Sequence, residues 1–188
     1  MKDIVVAEAI NIFARFGFRK TTMDEIARAA HVAKSSIYHY FPSKEKIFEA
    51  IIEKETRTLL ADVHQAVNAV ESPQEKLRAF FKTRLQAMDK ATNFYGAIVD
   101  EYFEHYAYIE VVRKKLDLQE MKFLRGILEE GIRAGAFAVV DPDVLMIGFH
   151  ALLRGLEYYF IAVEKKIEKV TEIQEALLGI LFNGVMIR

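Results

Sequence analysis

Residues 17–48 read GFRKTTMDEIARAAHVAKSSIYHYFPSKEKIF, and the reading of this stretch decides the fold. Pro42 ends any helix begun near Ala33 after about two turns, because proline has no amide donor and its ring clashes with the preceding turn. A helix that short does not stand alone, since nucleation costs more than so few hydrogen bonds return. Neighbours must hold it. At about 100° per residue, Ala33, Ile37, Tyr40 and Phe41 fall on one side, and Lys34, Ser35, Tyr38 and His39 on the other. The first set can dock on Ile26, Ala27 and Ala30 of the preceding helix and on Phe13 and Phe16 of an earlier one. The second set then faces outward with hydroxyls, a cation and an imidazole. A helix-turn-helix offers its second helix to the DNA major groove in this way, with the N-terminal residues nearest the bases. Lys34, Ser35, Ser36, Tyr38 and His39 can donate or accept at base edges and phosphates. The helix N-termini at Thr22 and Ser43 can each receive a phosphate, helped by Lys20 and Lys44.

Helix signals recur through the chain. Ile4, Ala7, Ile10, Phe13, Ala14 and Phe16 form an apolar stripe that ends at Gly17, a natural left-handed residue beyond a helix end. TMDE (22–25) and SPQE (72–75) are capping boxes, the second with Pro73 preset at the first helical position. DPD (141–143) and TEIQ (171–174) open helices similarly, and Ser43 caps the one that follows Pro42. The pattern predicts helices near 3–16, 22–30, 33–40, 43–70, 73–90, 93–107, 109–134, 142–164 and 171–186. Only AFAVV (136–140) reads as extended. The expected class is all-α, with about nine helices.

Composition limits the function classes. The 188 residues are 52% hydrophobic and 12% aromatic, ample for a core, and include no cysteine, which removes thiolate metal sites and disulfides. MKDIVVAEAI lacks the layout of a signal peptide, and the longest uncharged run, Ala176 to Ile187, falls short of a membrane span of about 20 residues. A cytoplasmic location is expected. Net charge is −1, but residues 1–47 carry eight Lys/Arg against five Asp/Glu (8 − 5 = +3) and residues 48–188 carry 18 against 22 (18 − 22 = −4). A basic first quarter on an acidic remainder points the anionic partner at that end alone.

Gly17 to Phe48, with TTMDEIARAAHV and IYHYFPSKEKIF as its closest parts, resembles the N-terminal signature of the TetR family of bacterial transcriptional regulators. The resemblance covers about a quarter of the chain. It implies a DNA-binding head over 1–47 and a larger effector-binding and dimerisation domain over 48–188. It also implies a homodimer on a palindromic DNA operator, most often as a repressor. Carried over position by position, it places Lys34, Ser35, Ser36, Tyr38 and His39 on the recognition helix, Tyr40 at its inner edge, and Lys20, Thr22 and Lys44 on the DNA backbone. Three positions depart from the family pattern, one of them Ser35 in place of a frequent glycine. His31 stands where glycine is usual in the turn, and Ala33 replaces a serine cap at a cost of about 1 kcal/mol.

In the larger part, VLMIGFHALLRGLEYYFIAV (144–163) and IQEALLGILFNGVMI (173–187) are apolar around much of their circumference. Such helices are buried or shared with a second copy. Leu145, Phe149, Leu152, Tyr159, Leu177, Ile180, Leu181 and Val185 are the candidate dimer residues, as a four-helix interface. For a small-molecule effector of apolar or aromatic character, the candidates are Phe81, Arg84, Met88, Tyr102, Phe103, Tyr106, Phe123, His150 and Arg154, an apolar set with a few polar groups. Each has a plainer reading as core or as a satisfied ion pair. No cofactor, metal or catalytic set is expected. Glu101, His105 and His150 offer only a chance-level metal spacing, and nucleophile elbows and phosphate loops are missing. The rivals to a regulator are an all-helical protein-interaction module and, more remotely, a metal-dependent helical enzyme.

Overall fold

The structure is a computed structural model that describes residues 1–96, 106–138, 141–162 and 170–185. Eight helices make up the described residues: α1 (Lys2–Phe16), α2 (Met23–Ala29), α3 (Lys34–Tyr40), α4 (Lys44–Asn68), α5 (Pro73–Gly96), α6 (Tyr106–Arg133), α7 (Pro142–Ala162) and α8 (Val170–Val185). The all-α expectation holds. Two boundaries differ from those predicted. The break expected after residue 90 is absent, and α5 continues to Gly96, because DKATN (89–93) contains neither proline nor glycine to stop it. The break expected at 108 is absent too, as α6 runs through it from Tyr106.

Two compact units divide the chain, one of Met1–Arg57 with Asn93–Lys115 and one of Thr58–Thr92 with Leu116–Arg188. In the first, Phe13 of α1 lies 5.1 Å from the ring of Phe18 and 6.3 Å from that of Phe48, and Phe18 lies 5.3 Å from Phe48. Val5, Val6, Ala9, Ile26, Ala27, Ile37, Phe41, Ile47 and Ile51 of the same unit are also buried. The first two turns of α4 thus complete the core of the three short helices. Tilted and edge-on ring pairs add about 0.5–1.5 kcal/mol each beyond burial.

The buried stripe of α1 is a correction to the sequence reading. Val5, Val6, Ala9 and Phe13 face inward, whereas Ile4 and Phe16 are more than half exposed and Ala7 and Ala14 are exposed. Two adjoining apolar stripes share this helix, so periodicity does not choose between them; the aromatic trio centred on Phe13 does. Phe16 instead lies under the Arg15 guanidinium at 5.0 Å. Gly17 follows with φ 81° and ψ 158°, a positive φ as expected but in a region open essentially to glycine alone. That turn sends the chain back so that Phe18 re-enters the core.

Both capping boxes form. Thr22 accepts from the Glu25 amide at 3.3 Å while the Glu25 carboxylate accepts from the Thr22 amide at 2.7 Å. Ser72 and Glu75 repeat the exchange at 3.2 and 3.3 Å. The Thr22 backbone N–H holds the Glu25 carboxyl below its usual range, and the Ser72 hydroxyl does the same for Glu75. Asp141 accepts from the Asp143 amide at 2.9 Å at the start of α7. The expected cap at Thr171 and Gln174 lies outside the described side chains.

The second unit is built on Phe80, Phe81, Leu77, Leu85, Leu124, Leu128, Phe137, Phe149, Leu153 and Leu178, drawn from α5 to α8. After α6, the amides of Ala136 and Phe137 both donate to the Gly131 carbonyl, at 2.8 and 3.2 Å, which folds Phe137 back onto the helix. Gly131 is obligatory there, since a Cβ would lie 2.0 Å from the Phe137 ring. No helix among the described residues is long and apolar enough to cross a membrane.

Candidate nucleic-acid interface and effector groove

The turn between α2 and α3 is closed by His31, at φ 53°, and by the Val32 amide donating to the Ala27 carbonyl at 2.9 Å. Histidine occupies the left-handed region more readily than most side chains. Ala33 starts α3 without a side-chain cap; its carbonyl accepts from the amides of Ser36 and Ile37. Ile37 is completely buried, and Lys34, Ser35, Tyr38 and His39 are exposed, Tyr38 by 44%. Ser36 and Tyr40 are half-buried. Tyr40 sits edge-on to His39 at 5.2 Å, and its ring faces the Lys2 ammonium at 5.9 Å. A single helix therefore combines a buried isoleucine anchor with an outward row of donors and acceptors.

Lys34 bridges to Asp24 at 2.8 Å, both exposed, and this hydrogen bond raises the lysine pKa. An exposed pair of this kind contributes little to stability and is easily exchanged for a phosphate. Lys20 and Thr22 are exposed as well.

Lys44 is used differently from the other cations. Its ammonium donates to the carbonyls of Phe18, Thr21 and Arg19 at 2.7, 3.0 and 3.4 Å and lies 4.3 Å from the Phe18 ring centre. An ammonium has three donors, and here all three serve the turn between α1 and α2. Lys44 therefore shapes the head as a clamp from α4. Lys44→Met is expected to lower DNA affinity at fixed salt without changing the slope of log affinity against log salt. Loss of a direct phosphate contact would instead reduce that slope by about one. Anisotropy titrations over a range of salt concentrations distinguish the two.

Among the described residues, the effector candidates Phe81, Arg84, Phe123, His150 and Arg154 do not line one site. Phe81 is buried in the core, with its ring 5.0 Å from Phe149. Arg84 and Arg154 enter a largely buried network, with Arg84 Nε 2.7 Å from Glu120 and Arg154 Nη2 3.1 Å from Asp117. Glu157 stands between the two arginines at 3.7 and 3.6 Å. Removing one member would leave a buried charge unpaired, which costs about 3–5 kcal/mol. His150 is half-buried on α7. Tyr102 and Phe103, with Glu101 and His105, lie outside the described residues, as do the side chains of Met88 and Tyr106. Among the described residues no cluster of metal-ligating side chains forms.

Of the described candidates, Phe123 lines an open groove of about 700 Å³. Leu60, Ala61, His64, Val67 and Asn68 give it one face of α4; Gln119, Lys122, Phe123, Gly126, Ile127 and Glu130 give it one face of α6; Lys76 comes from α5. The His64 and Phe123 rings lie with centres 3.7 Å apart and planes tilted by 33°. Lys76 pairs with Glu130 at 2.7 and 3.0 Å. Except for Phe123, none of these residues stood out in the sequence. Their spacing is legible helix by helix, but which face of α4 meets which face of α6 is a tertiary fact.

The dimer candidates separate in the same way. Phe149 is buried within its own subunit, and Leu145, Leu152 and Leu177 are half-buried. Tyr159 and Ile180 are exposed, Ile180 by 71%, and they are joined by Val144, Ile147, Tyr158 and Ile173. The side chains of Leu181 and Val185 lie outside the described set. On α7, Val144, Ile147, Ala151, Gly155 and Tyr158 recur at helical spacing along one exposed stripe.

Comparison with known proteins agrees with this geometry. Residues 5–51 match the family described as bacterial regulatory proteins, tetR family. The chain is 25% identical over 147 residues to the uncharacterised HTH-type transcriptional regulator YhgD of Bacillus subtilis, covering 76% of this chain and 75% of that one. It is 27% identical over 148 residues to the HTH-type transcriptional repressor KstR2 of Mycolicibacterium smegmatis, covering 76% and 69%. The solved structure of a candidate fatty acid metabolism regulator from Clostridium perfringens superposes with a TM-score of 0.71 at 25% identity, covering 98% of this chain and all of that one. The matched stretch spans α1 to the second turn of α4, including every residue of the outward face of α3. The chain is thus similar to TetR-family bacterial transcriptional regulators, with the family match carried by residues 5–51.

Proposed function

We propose that this TetR-type regulator is a homodimeric repressor that binds a palindromic operator through α3 and is released by a small apolar or aromatic effector. The carrying observation is α3 itself, where Ile37 is buried and Lys34, Ser35, Tyr38 and His39 are exposed on the opposite side. The basic balance of the first 47 residues, 8 − 5 = +3, supports an anionic partner at that end. The functional division falls at 1–47 and 48–188, with the first turns of α4 lending their side chains to the head. Two-fold pairing through the exposed stripes of α7 and α8 would set the recognition helices about 34 Å apart, one helical turn of DNA. KstR2 is named a repressor, and the Clostridium perfringens neighbour is associated with fatty acid metabolism; both names favour repression and an apolar effector. Release follows by population shift, the effector favouring a dimer whose two heads no longer match the half-sites.

Salt titration tests the DNA reading against a protein-interaction module. Binding to duplex DNA is expected to fall steeply as salt rises, through counterion release. Affinity that is indifferent to salt would favour hydrophobic docking on a protein and contradict the proposal.

A further inference from the structure

We propose that the groove between α4 and α6 is the effector site and that its ligand is an amphipathic organic anion, a carboxylate on an apolar body. This rests on the effector reading above. The floor is apolar: Leu60, Val67 and Ile127 are buried there, and the Phe123 ring lies against the tilted His64 ring. The charged lining is two lysines and one glutamate, a net of 2 − 1 = +1. Lys76 and Glu130 satisfy each other. That leaves Lys122, exposed on α6, whose helical neighbours at positions 118, 119, 125 and 126 are Leu, Gln, Arg and Gly. None of these offers a carboxylate, so Lys122 is left exposed at the groove, where it can meet an anion from solution. The amides of Gln119 and Asn68 add neutral donors along the same lining.

Gly126 adds to the open space. A Cβ built on it meets nothing within 4 Å, so the wall of α6 is cut away one turn beyond Lys122. Glycine inside a helix costs about 1 kcal/mol against alanine, and no packing contact requires it here. The volume, about 700 Å³, lies in the range of small-molecule sites, roughly 300–1,000 Å³. A cation at the rim of an apolar trough selects a ligand with one negative end and a hydrophobic remainder. A neutral or cationic analogue loses the Lys122 contact.

The test is isothermal titration of the full chain, without DNA, with hexanoate, dodecanoate and 4-phenylbutyrate, using dodecanol and dodecylammonium as charge controls. At least one carboxylate is expected to bind with one site per chain, and both controls at least tenfold more weakly. Lys122→Glu is expected to weaken the carboxylate at least tenfold, and Gly126→Leu, which fills the groove while favouring the helix, to abolish binding. Both variants should keep the wild-type circular dichroism and melting temperature. Absence of binding by all three carboxylates, binding indifferent to both variants, or preference for the ammonium would overturn the site. Failure of the regulatory reading would look different: carboxylate binding lost in both variants as expected, but with operator affinity unchanged by saturating ligand.

Discussion

Replacing Tyr38 with alanine will abolish operator binding at protein concentrations where the wild type is saturated, and will leave the dimer and its melting temperature unchanged. Tyr38 is 44% exposed in the centre of the outward face of α3, and the anchor that holds the helix is Ile37, which is fully buried. The ring therefore lies outside the core, on the face proposed to meet DNA. A contact at the DNA surface is worth about 1–3 kcal/mol, and a dimer presents it twice, so the expected loss is about 2–6 kcal/mol, roughly thirtyfold to ten-thousandfold. Gel-shift or anisotropy titration with the operator measures it, with circular dichroism as the folding control. Unchanged affinity would remove α3 from the recognition role.

The second large effect is expected at the α7–α8 face. Ile147→Glu combined with Ile180→Glu will convert the dimer to a monomer, because two-fold pairing would bury each introduced carboxylate twice without a partner. An unpaired charge in a buried interface costs several kcal/mol. Ile147 and Ile180 are 60% and 71% exposed in the subunit, so the substitutions leave the subunit core intact. Light scattering reads the mass, and operator affinity should collapse with it, since each head is left with one half-site. A dimer that survives the double substitution would show that pairing uses another surface. The half-buried Leu145 and Leu152 are poorer probes, and Phe149 is the poorest, because its ring belongs to the core against Phe81.

The sequence was most readable where local chemistry decides local structure. TMDE and SPQE became reciprocal caps at the expected positions, and Ile37 and Phe41 turned inward and Tyr38 outward as the wheel predicts, whereas Ala33 of the inward set is exposed at the helix start and Tyr40 is half-buried. It was least readable where two solutions satisfy the same period. On α1 the stripe through Ile4 and the stripe through Val5 are both apolar, and only the Phe13–Phe18–Phe48 trio selects the second. The candidate site shows the same limit. Arg84 and Arg154 were recognisable as unusual charges in apolar helices, but their partners Glu120, Asp117 and Glu157 lie 36, 37 and 3 residues away, across three helices. Lys122 has no distinguishing mark in sequence. Its significance comes from the apolar groove beside it, which depends on how α4 and α6 pack. Lys44 was legible as a cation near a helix start, whereas its use on the Phe18–Thr21 carbonyls depends on the turn made at Gly17.

The central claim, that α3 of a two-fold dimer reads DNA sequence, is tested most directly by selection. The purified full chain is incubated with a randomised duplex library at near-physiological salt, and the bound fraction is sequenced after several rounds. The account predicts an enriched inverted repeat with half-sites about one helical turn apart, and its loss when Tyr38→Ala protein is used. Enrichment of no sequence by protein refolded free of bound small molecules would contradict it, as would a motif that the Tyr38→Ala variant selects equally well.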